Sequence, residues 1–205
     1  MASKYWATCS NTFLADADYY EKCEVVLRQE LLSRIGSVNR ILDLGCGNGR
    51  FTLLLAATGR TVDAFDLSPT LIEQARQSAR EHDVKNVRFK VADITFTKPR
   101  RSTYGLVSCM GVLSTIIDDW AFQRITRALR LALEPRGWLL LRETLSSLEQ
   151  GQVVESDGYA IRYRNENAYR NTFKEYGLNL EYEVPLISAG TCANRFCLYR
   201  VAGER

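Results

Sequence analysis

The chain is predicted to fold as an α/β protein on an open parallel sheet, and three observations predict it. An apolar run, Ile41-Leu42-Asp43-Leu44, enters a glycine-rich turn, Gly45-Cys46-Gly47-Asn48-Gly49. Two further runs, 61–66 and 87–91, have strand character and each leads to an acid, Asp66 and Asp93. Between them Ser68 and Pro69 supply the cap and first residue of a helix. Strands alternating with helices build parallel sheets, whose ligands lie at the carboxyl edge of the strands.

The glycines of the first turn allow a tight strand-to-helix connection and let a ligand approach bare backbone, while Asp43 offers a carboxylate nearby. Such turns also join strands to helices with no ligand, so the next two strands carry the argument. Asp66 closes the second strand, where a ribose diol would lie. Asp93 and Ile94 follow the third, placing a carboxylate and an apolar side chain at the same edge. A sheet that needs only apolar filling does not call for acids at the ends of successive strands.

The motifs Asp43-Leu44-Gly45-Cys46-Gly47-Asn48-Gly49-Arg50, Asp66-Leu67-Ser68-Pro69 and Ala92-Asp93-Ile94 resemble the cofactor motifs of class I S-adenosylmethionine-dependent methyltransferases. The resemblance implies a Rossmann-like, doubly wound, seven-stranded sheet, mostly parallel with an antiparallel last strand and helices on both faces. It also implies S-adenosylmethionine as cofactor and S-adenosylhomocysteine as product. Asp43, Gly45, Cys46 and Gly47 would then meet the methionine and ribose part, Asp66 the ribose hydroxyls, Leu67 the adenine face, and Asp93 with Ile94 the adenine amino group. A nicotinamide dehydrogenase fits less well, because Asp43 precedes the glycines and Gly49 stands in place of a later third glycine.

The resemblance runs from about Ile41 to Glu143. Residues 104–113 look like the family's fourth strand and following loop, with Met110 beside the methionine end of the cofactor. Phe122, Ile125, Leu129 and Leu133 mark a helix, ended by Glu134-Pro135-Arg136-Gly137, and 137–143 gives the fifth strand. The runs 178–184 and 195–201, joined by Pro185 and a loop with Gly190, look like the closing antiparallel pair.

The chain has 205 residues, 46% apolar and 25% charged, enough to bury a full core without staples. The expected organisation is one methyltransferase domain: residues 1–36 a helical lid or cap, 37–143 the cofactor core, 144–205 an acceptor-binding segment and closing hairpin. A net charge of +3 and dispersed arginines argue against nucleic acid. No 18-residue apolar run suggests a membrane span, and the start, Met1-Ala2-Ser3-Lys4-Tyr5-Trp6, does not read as a secretory signal. The protein is therefore expected to be soluble and cytoplasmic, and its six scattered cysteines read as reduced thiols. No metal site is expected, since His82 is the only histidine and Cys192 and Cys197 the only close thiol pair. Oligomeric state is not written in the sequence.

Acceptor recognition is expected outside the core. Tyr5 and Trp6 are expected to form a lid. Phe13, Tyr19 and Tyr20 either join it or pack the helix through Val25, Val26, Leu27, Leu31 and Leu32 onto the sheet. Tyr159, Ile161 and Tyr163 alternate with Ala160, Arg162 and Arg164, which reads as a strand with a cationic face, followed by a helix holding Tyr169, Phe173 and Tyr176. Arg142, Tyr163, Arg164 and Tyr169 are therefore the expected acceptor ligands. Relatives often carry a histidine after the fourth strand, where this chain has Ser114 and Thr115; Glu143 at the tip of the fifth strand is the expected base. The expected activity is methyl transfer to a small-molecule or sugar-like acceptor, at oxygen. A nitrogen methyltransferase and a catalytically silent cofactor-binding module remain the alternatives.

Overall fold

In a computed structural model of the chain, seven strands pair in the order β3-β2-β1-β4-β5-β9-β8, and a separate hairpin pairs β6 with β7. Residues 2–10, 16–156 and 158–203 are described; Phe13 and Asp157 lie outside them. The parallel half comprises β1 (Arg40–Leu44), β2 (Thr61–Asp66), β3 (Val87–Val91) and β4 (Tyr104–Met110). It continues into β5 (Leu133–Ser146), which pairs in parallel with β4. The last strand in the chain, β9 (Cys192–Val201), runs antiparallel to β5 and separates it from the edge strand β8 (Leu178–Ala189).

Period-two alternation divides the sheet's two faces. On one face Ile41, Leu106, Leu140 and Leu198 meet α2 (Ala17–Val26), α3 (Leu32–Ile35), α4 (Arg50–Ala56) and α5 (Pro69–Glu81). On the other, Leu42, Val107, Leu139, Leu141 and Tyr199 meet α6 (Asp119–Ala132) and α7 (Glu166–Glu175). Ser68 caps α5, its hydroxyl accepting from the Leu71 N–H at 3.2 Å, with Pro69 as the first helical residue. Asp118 and Asn165 cap α6 and α7 in the same way. Between α2 and α3 the helix widens into a π-turn, Leu27–Leu31, where the Leu32 N–H reaches back to the Leu27 carbonyl. That extra residue keeps both Leu27 and Leu31 fully buried.

A mid-strand acid looks out of place in such a sheet, and its partners explain it. Asp63 accepts from Arg40 at 2.8 Å, Arg88 at 3.0 Å and the Tyr104 hydroxyl at 3.0 Å, joining four neighbouring strands through one carboxylate. On the far side, Arg170 and Arg195 alternate with Glu166 and Glu183 at 2.6–3.2 Å, fixing α7 to β8 and β9.

Three elements differ from expectation. Strand β5 begins at Leu133 and takes in the turn expected to precede it. Strand β8 continues through Pro185 to Ala189, with a register shift between Pro185 and Ile187. Proline is tolerated there because β8 is an edge strand, where its missing N–H is not required by a neighbour. The hairpin partner β6 (Gln152–Ser156) was not foreseen; it pairs with β7 (Tyr159–Tyr163), the strand whose alternation was legible.

Under α6 and α7, Phe173 packs in tilted contact with Tyr169 at 4.9 Å and Tyr199 at 5.0 Å, and meets Phe122 edge-on at 6.4 Å. Phe173 is fully buried, so Phe173→Ala is expected to cost about 3–5 kcal/mol, the range for an aromatic truncated in a packed core. Denaturant unfolding monitored by circular dichroism reads the loss directly.

Candidate functional site

At the carboxyl ends of β1, β2, β4 and β5 lies a cleft of about 850 Å³. Its floor begins where β1 gives way to the glycine turn. Gly45 adopts φ +72°, and a Cβ there would sit 2.1 Å from Val112 Cγ2, so only glycine lets the turn pass beneath the loop after β4. Asp66 closes β2 and locks this turn: one carboxylate oxygen accepts from the Gly47 N–H at 2.7 Å, the other from the Ser68 N–H at 2.9 Å. Burial raises the Asp66 carboxyl above its ordinary range, and these backbone donors oppose the rise. Asp93, after β3, is oriented by the Thr95 N–H at 2.8 Å and the Thr95 hydroxyl at 2.6 Å.

Of the residues expected to hold the cofactor, Gly45, Cys46 and Gly47, then Asp66 and Leu67, then Asp93 and Ile94, and finally Met110 all line this one cleft. Asp43 does not. It lies beneath the turn, fully buried, and accepts from the Thr52 hydroxyl at 2.6 Å, which anchors α4 below the floor. Burial pushes its carboxyl up to about 6, against the hydrogen bond from Thr52. The groups gathered at the cleft could hold an adenosyl ligand: carboxylates for hydroxyl and amino donors, apolar side chains for a flat base, and glycine backbone for close approach.

The acceptor side departs further from expectation. Because side chains alternate along β5, Arg142 and Thr144 face α2 and the cleft, whereas Glu143 faces α6 and α7 with Leu141 and Leu145. Glu143 is only 2% exposed, and its carboxylate accepts from the N–H groups of Val112, Leu113 and Ser114 at 2.9–3.2 Å. Arg164 completes the grip, donating to the Leu113 carbonyl at 3.0 Å and the Ile116 carbonyl at 2.7 Å while its guanidinium lies 3.8 Å over the Phe122 ring. Thus an acid takes the amides and a base takes the carbonyls of one short 3₁₀ turn, Leu113–Thr115. Neither side chain lines the cleft; they hold the loop that does. Tyr169, also expected at the acceptor, is core, packed on Phe122 at 5.7 Å and 2% exposed.

Tyr163 and Trp6 do reach the cleft. Helix α1 (Ala2–Thr8) lies against β7, where Tyr5 packs on Tyr159 at 4.8 Å and on Trp6 at 5.0 Å; Tyr5 supports Trp6 and lines nothing itself. The segment after α1 is tied to α5: Ser68 donates to the Cys9 carbonyl at 2.7 Å and Gln74 to that of Ser10 at 3.1 Å. Sequence reading missed Thr144, Asn194, Phe96 and Trp120 as lining residues. The first two join Tyr19 in a chain, Tyr19 hydroxyl to Asn194 at 2.7 Å and Asn194 to Thr144 at 2.8 Å. Strand parity with Arg142 was the available signal for Thr144. His82 is remote from all this, at the exposed end of α5 with Nδ1 2.8 Å from the Ser78 carbonyl.

Residues 41–137 match the sequence family described as Methyltransferase domain. A ubiquinone biosynthesis O-methyltransferase of Xanthomonas campestris pv. campestris is 34% identical over 103 residues, 50% of this chain and 41% of that protein, so the chain spans under half the length of this relative. Among solved structures, the CcbJ methyltransferase from Streptomyces caelestis superimposes with TM-score 0.77 at 16% identity, over 99% of this chain and 100% of that one. The [4+2]-cyclase SpnF superimposes with TM-score 0.72, also at 16% identity, over 97% of this chain and 87% of its own. The chain therefore has the class I S-adenosylmethionine-dependent methyltransferase fold, and residues 41–137, just under half of it, are similar to the Methyltransferase domain family. Likeness at these identities is a likeness of fold, and a fold can serve more than one reaction.

Burial pushes the Glu143 carboxyl up to about 7, against the three amides and Arg142, which pull it down. A carboxyl raised on folding binds a proton in the native state that the unfolded chain has released. Its contribution is complete below the unfolded value near 4.5 and is lost as pH rises to about 7. Stability is therefore expected to fall across that window, and Glu143→Gln should flatten the fall by roughly 3 kcal/mol, the equivalent of the shift. Urea titrations of both proteins at pH 4.5 and pH 7.5 measure it; an unchanged difference contradicts the burial argument.

Proposed function

We propose that the chain transfers the methyl group of S-adenosylmethionine to oxygen on a small, largely apolar acceptor. The observation that carries this reading is Asp66. Its carboxylate accepts from the backbone N–H of Gly47 on one oxygen and of Ser68 on the other while lining the cleft, and a carboxylate so oriented has acceptor capacity left for a vicinal diol. Asp93 and Ile94 would take the adenine, with Leu67 beside it, and the turn from Gly45 to Gly47 the remainder of the cofactor. When bound, the cofactor supplies a methyl group already activated on a sulfonium, so the protein's work is alignment and exclusion of water.

Several features support oxygen and an acidic acceptor. The acids nearest the acceptor side, Asp16 and Asp118, accept from the Tyr19 and Ala121 N–H groups as helix caps, and no histidine lines the cleft. Burial keeps the Tyr19 hydroxyl protonated far above its ordinary range, so it serves as a donor. An acceptor that arrives ionised, such as a phenol or a carboxylic acid, needs least help with its proton. The walls, with Phe51, Phe96, Ile117, Trp120 and Ile161, favour a flat apolar body over a sugar. The oxygen methyltransferase relative from Xanthomonas supports the same atom. Trp6 and α1 form the lid of this reading, and six scattered cysteines, read as reduced thiols, suit a cytoplasmic setting. A second reading, cofactor binding without transfer, rests on Ser114 and Thr115 standing where relatives often carry histidine.

Asp66→Ala is expected to weaken S-adenosylhomocysteine binding at least about a hundredfold, two charge-assisted hydrogen bonds being worth roughly 3 kcal/mol or more. Calorimetric titration checks it, and an undiminished affinity removes the ribose role. Methylated product from a panel of phenols and aromatic acids, assayed with the unaltered chain, separates transfer from silent binding.

A further inference from the structure

Arg142 is the most exceptional charge in the molecule. Strand alternation turns it toward α2, where its guanidinium lies 5.6, 5.5 and 5.2 Å from the ring centres of Tyr19, Tyr20 and Phe51. Its polar company is thin. One terminal nitrogen reaches the Cys23 Sγ at 3.8 Å, and Nε is buried without a hydrogen-bond partner. Among the described residues it makes no ion pair. The adjacent Glu143 carboxylate lies on the opposite face, held by three amides.

Aromatic faces return about 0.5–2 kcal/mol each to a cation, whereas removing an unpaired charge from water costs several kcal/mol. The balance wants an anion. Space for one has been kept at Gly111, where φ is +74° and a Cβ would stand 2.8 Å from Arg142 Nη2. We propose that Arg142 is a carboxylate receptor inside the cleft, its guanidinium taking a ligand's carboxylate through a forked pair of hydrogen bonds. A planar fork between rings matches a planar carboxylate. A phosphate would want further cations, and the nearby Arg50 is already paired with Glu24. The carboxylate has two possible sources, the amino-acid tail of the cofactor or an acid group on the acceptor, and the proposal rests on the function proposed above only for the first.

Calorimetry on the full chain and on Arg142→Gln, with two matched pairs of probes, tests it. S-adenosylhomocysteine and 5′-methylthioadenosine share the nucleoside but only the first has the amino-acid tail; benzoate and benzamide share the ring but only the first has the charge. The expected result is a loss of at least about tenfold in affinity for the carboxylate member of one pair, with its neutral partner unaffected. Loss in the first pair assigns the receptor to the cofactor, and loss in the second assigns it to the acceptor. The ligand-free variant is also expected to unfold at or above the temperature of the unaltered protein, since a half-buried charge without an ion-pair partner has gone. Unchanged ratios in both pairs overturn the proposal, as does a lowered unfolding temperature with carboxylate affinity intact, which would make Arg142 a packing residue. If neither nucleoside binds the unaltered chain, the cofactor reading fails by itself and the benzoate pair decides for Arg142.

Discussion

The position of β1 in the interior of the sheet, between β2 and β4, is the constraint on which the rest depends. The strands start there, step outward through β2 to β3, then return to lay β4 on the other side of β1. Connections leaving β1 and β4 therefore depart toward opposite faces, and a crevice opens where they part. The glycine turn floors that crevice, Asp66 and Asp93 guard its outer side, and the loop after β4 walls its inner side. None of these groups needs to find the others during folding, because parallel pairing brings all their strand ends to one edge.

The inner wall shows how a short loop is held without a long element to support it. Glu143 and Arg164 come from different strands and turns, yet both reach the same few peptide groups from opposite sides. Burying each charge is costly, and each is compensated by peptide dipoles of the right sign, Arg164 also pairing with Asp119 at 3.5 Å. Such an arrangement fixes backbone geometry more tightly than apolar packing alone, because a carboxylate tolerates little displacement of its three donors.

Cofactor-type residues were legible because their signal is local: a glycine turn, or an acid where a strand ends, lies within a few residues of the feature it serves. Strand ends in the parallel half were read closely, and β7 was found from its alternation. The acceptor side was harder, since its residues converge from α1, α2, β5, β7 and β9 and share no local pattern. Glu143 was assigned to chemistry on the strength of being an acid at a strand tip. Parity with Leu139 and Leu141, both core residues, already pointed it away from the cleft, and the same count pointed Arg142 into it. Arg164 and Tyr169 were misplaced for a related reason: an arginine or a tyrosine in an amphipathic segment reads as surface or ligand until the partners that bury it are known. The hairpin strand β6 gave no strong alternation, and Pro185 hid the continuation of β8.

The wall of the cleft includes pieces far apart in the chain: Trp6 of α1 lines it, and Trp6 and Tyr5 both make ring contacts with Tyr159 of the small hairpin. Nothing in that group takes part in the pairing of the seven-stranded sheet. Its composition is thus free to drift under selection for a new guest molecule while the hearth beneath stays the same, which is how one architecture comes to shelter unrelated chemistries.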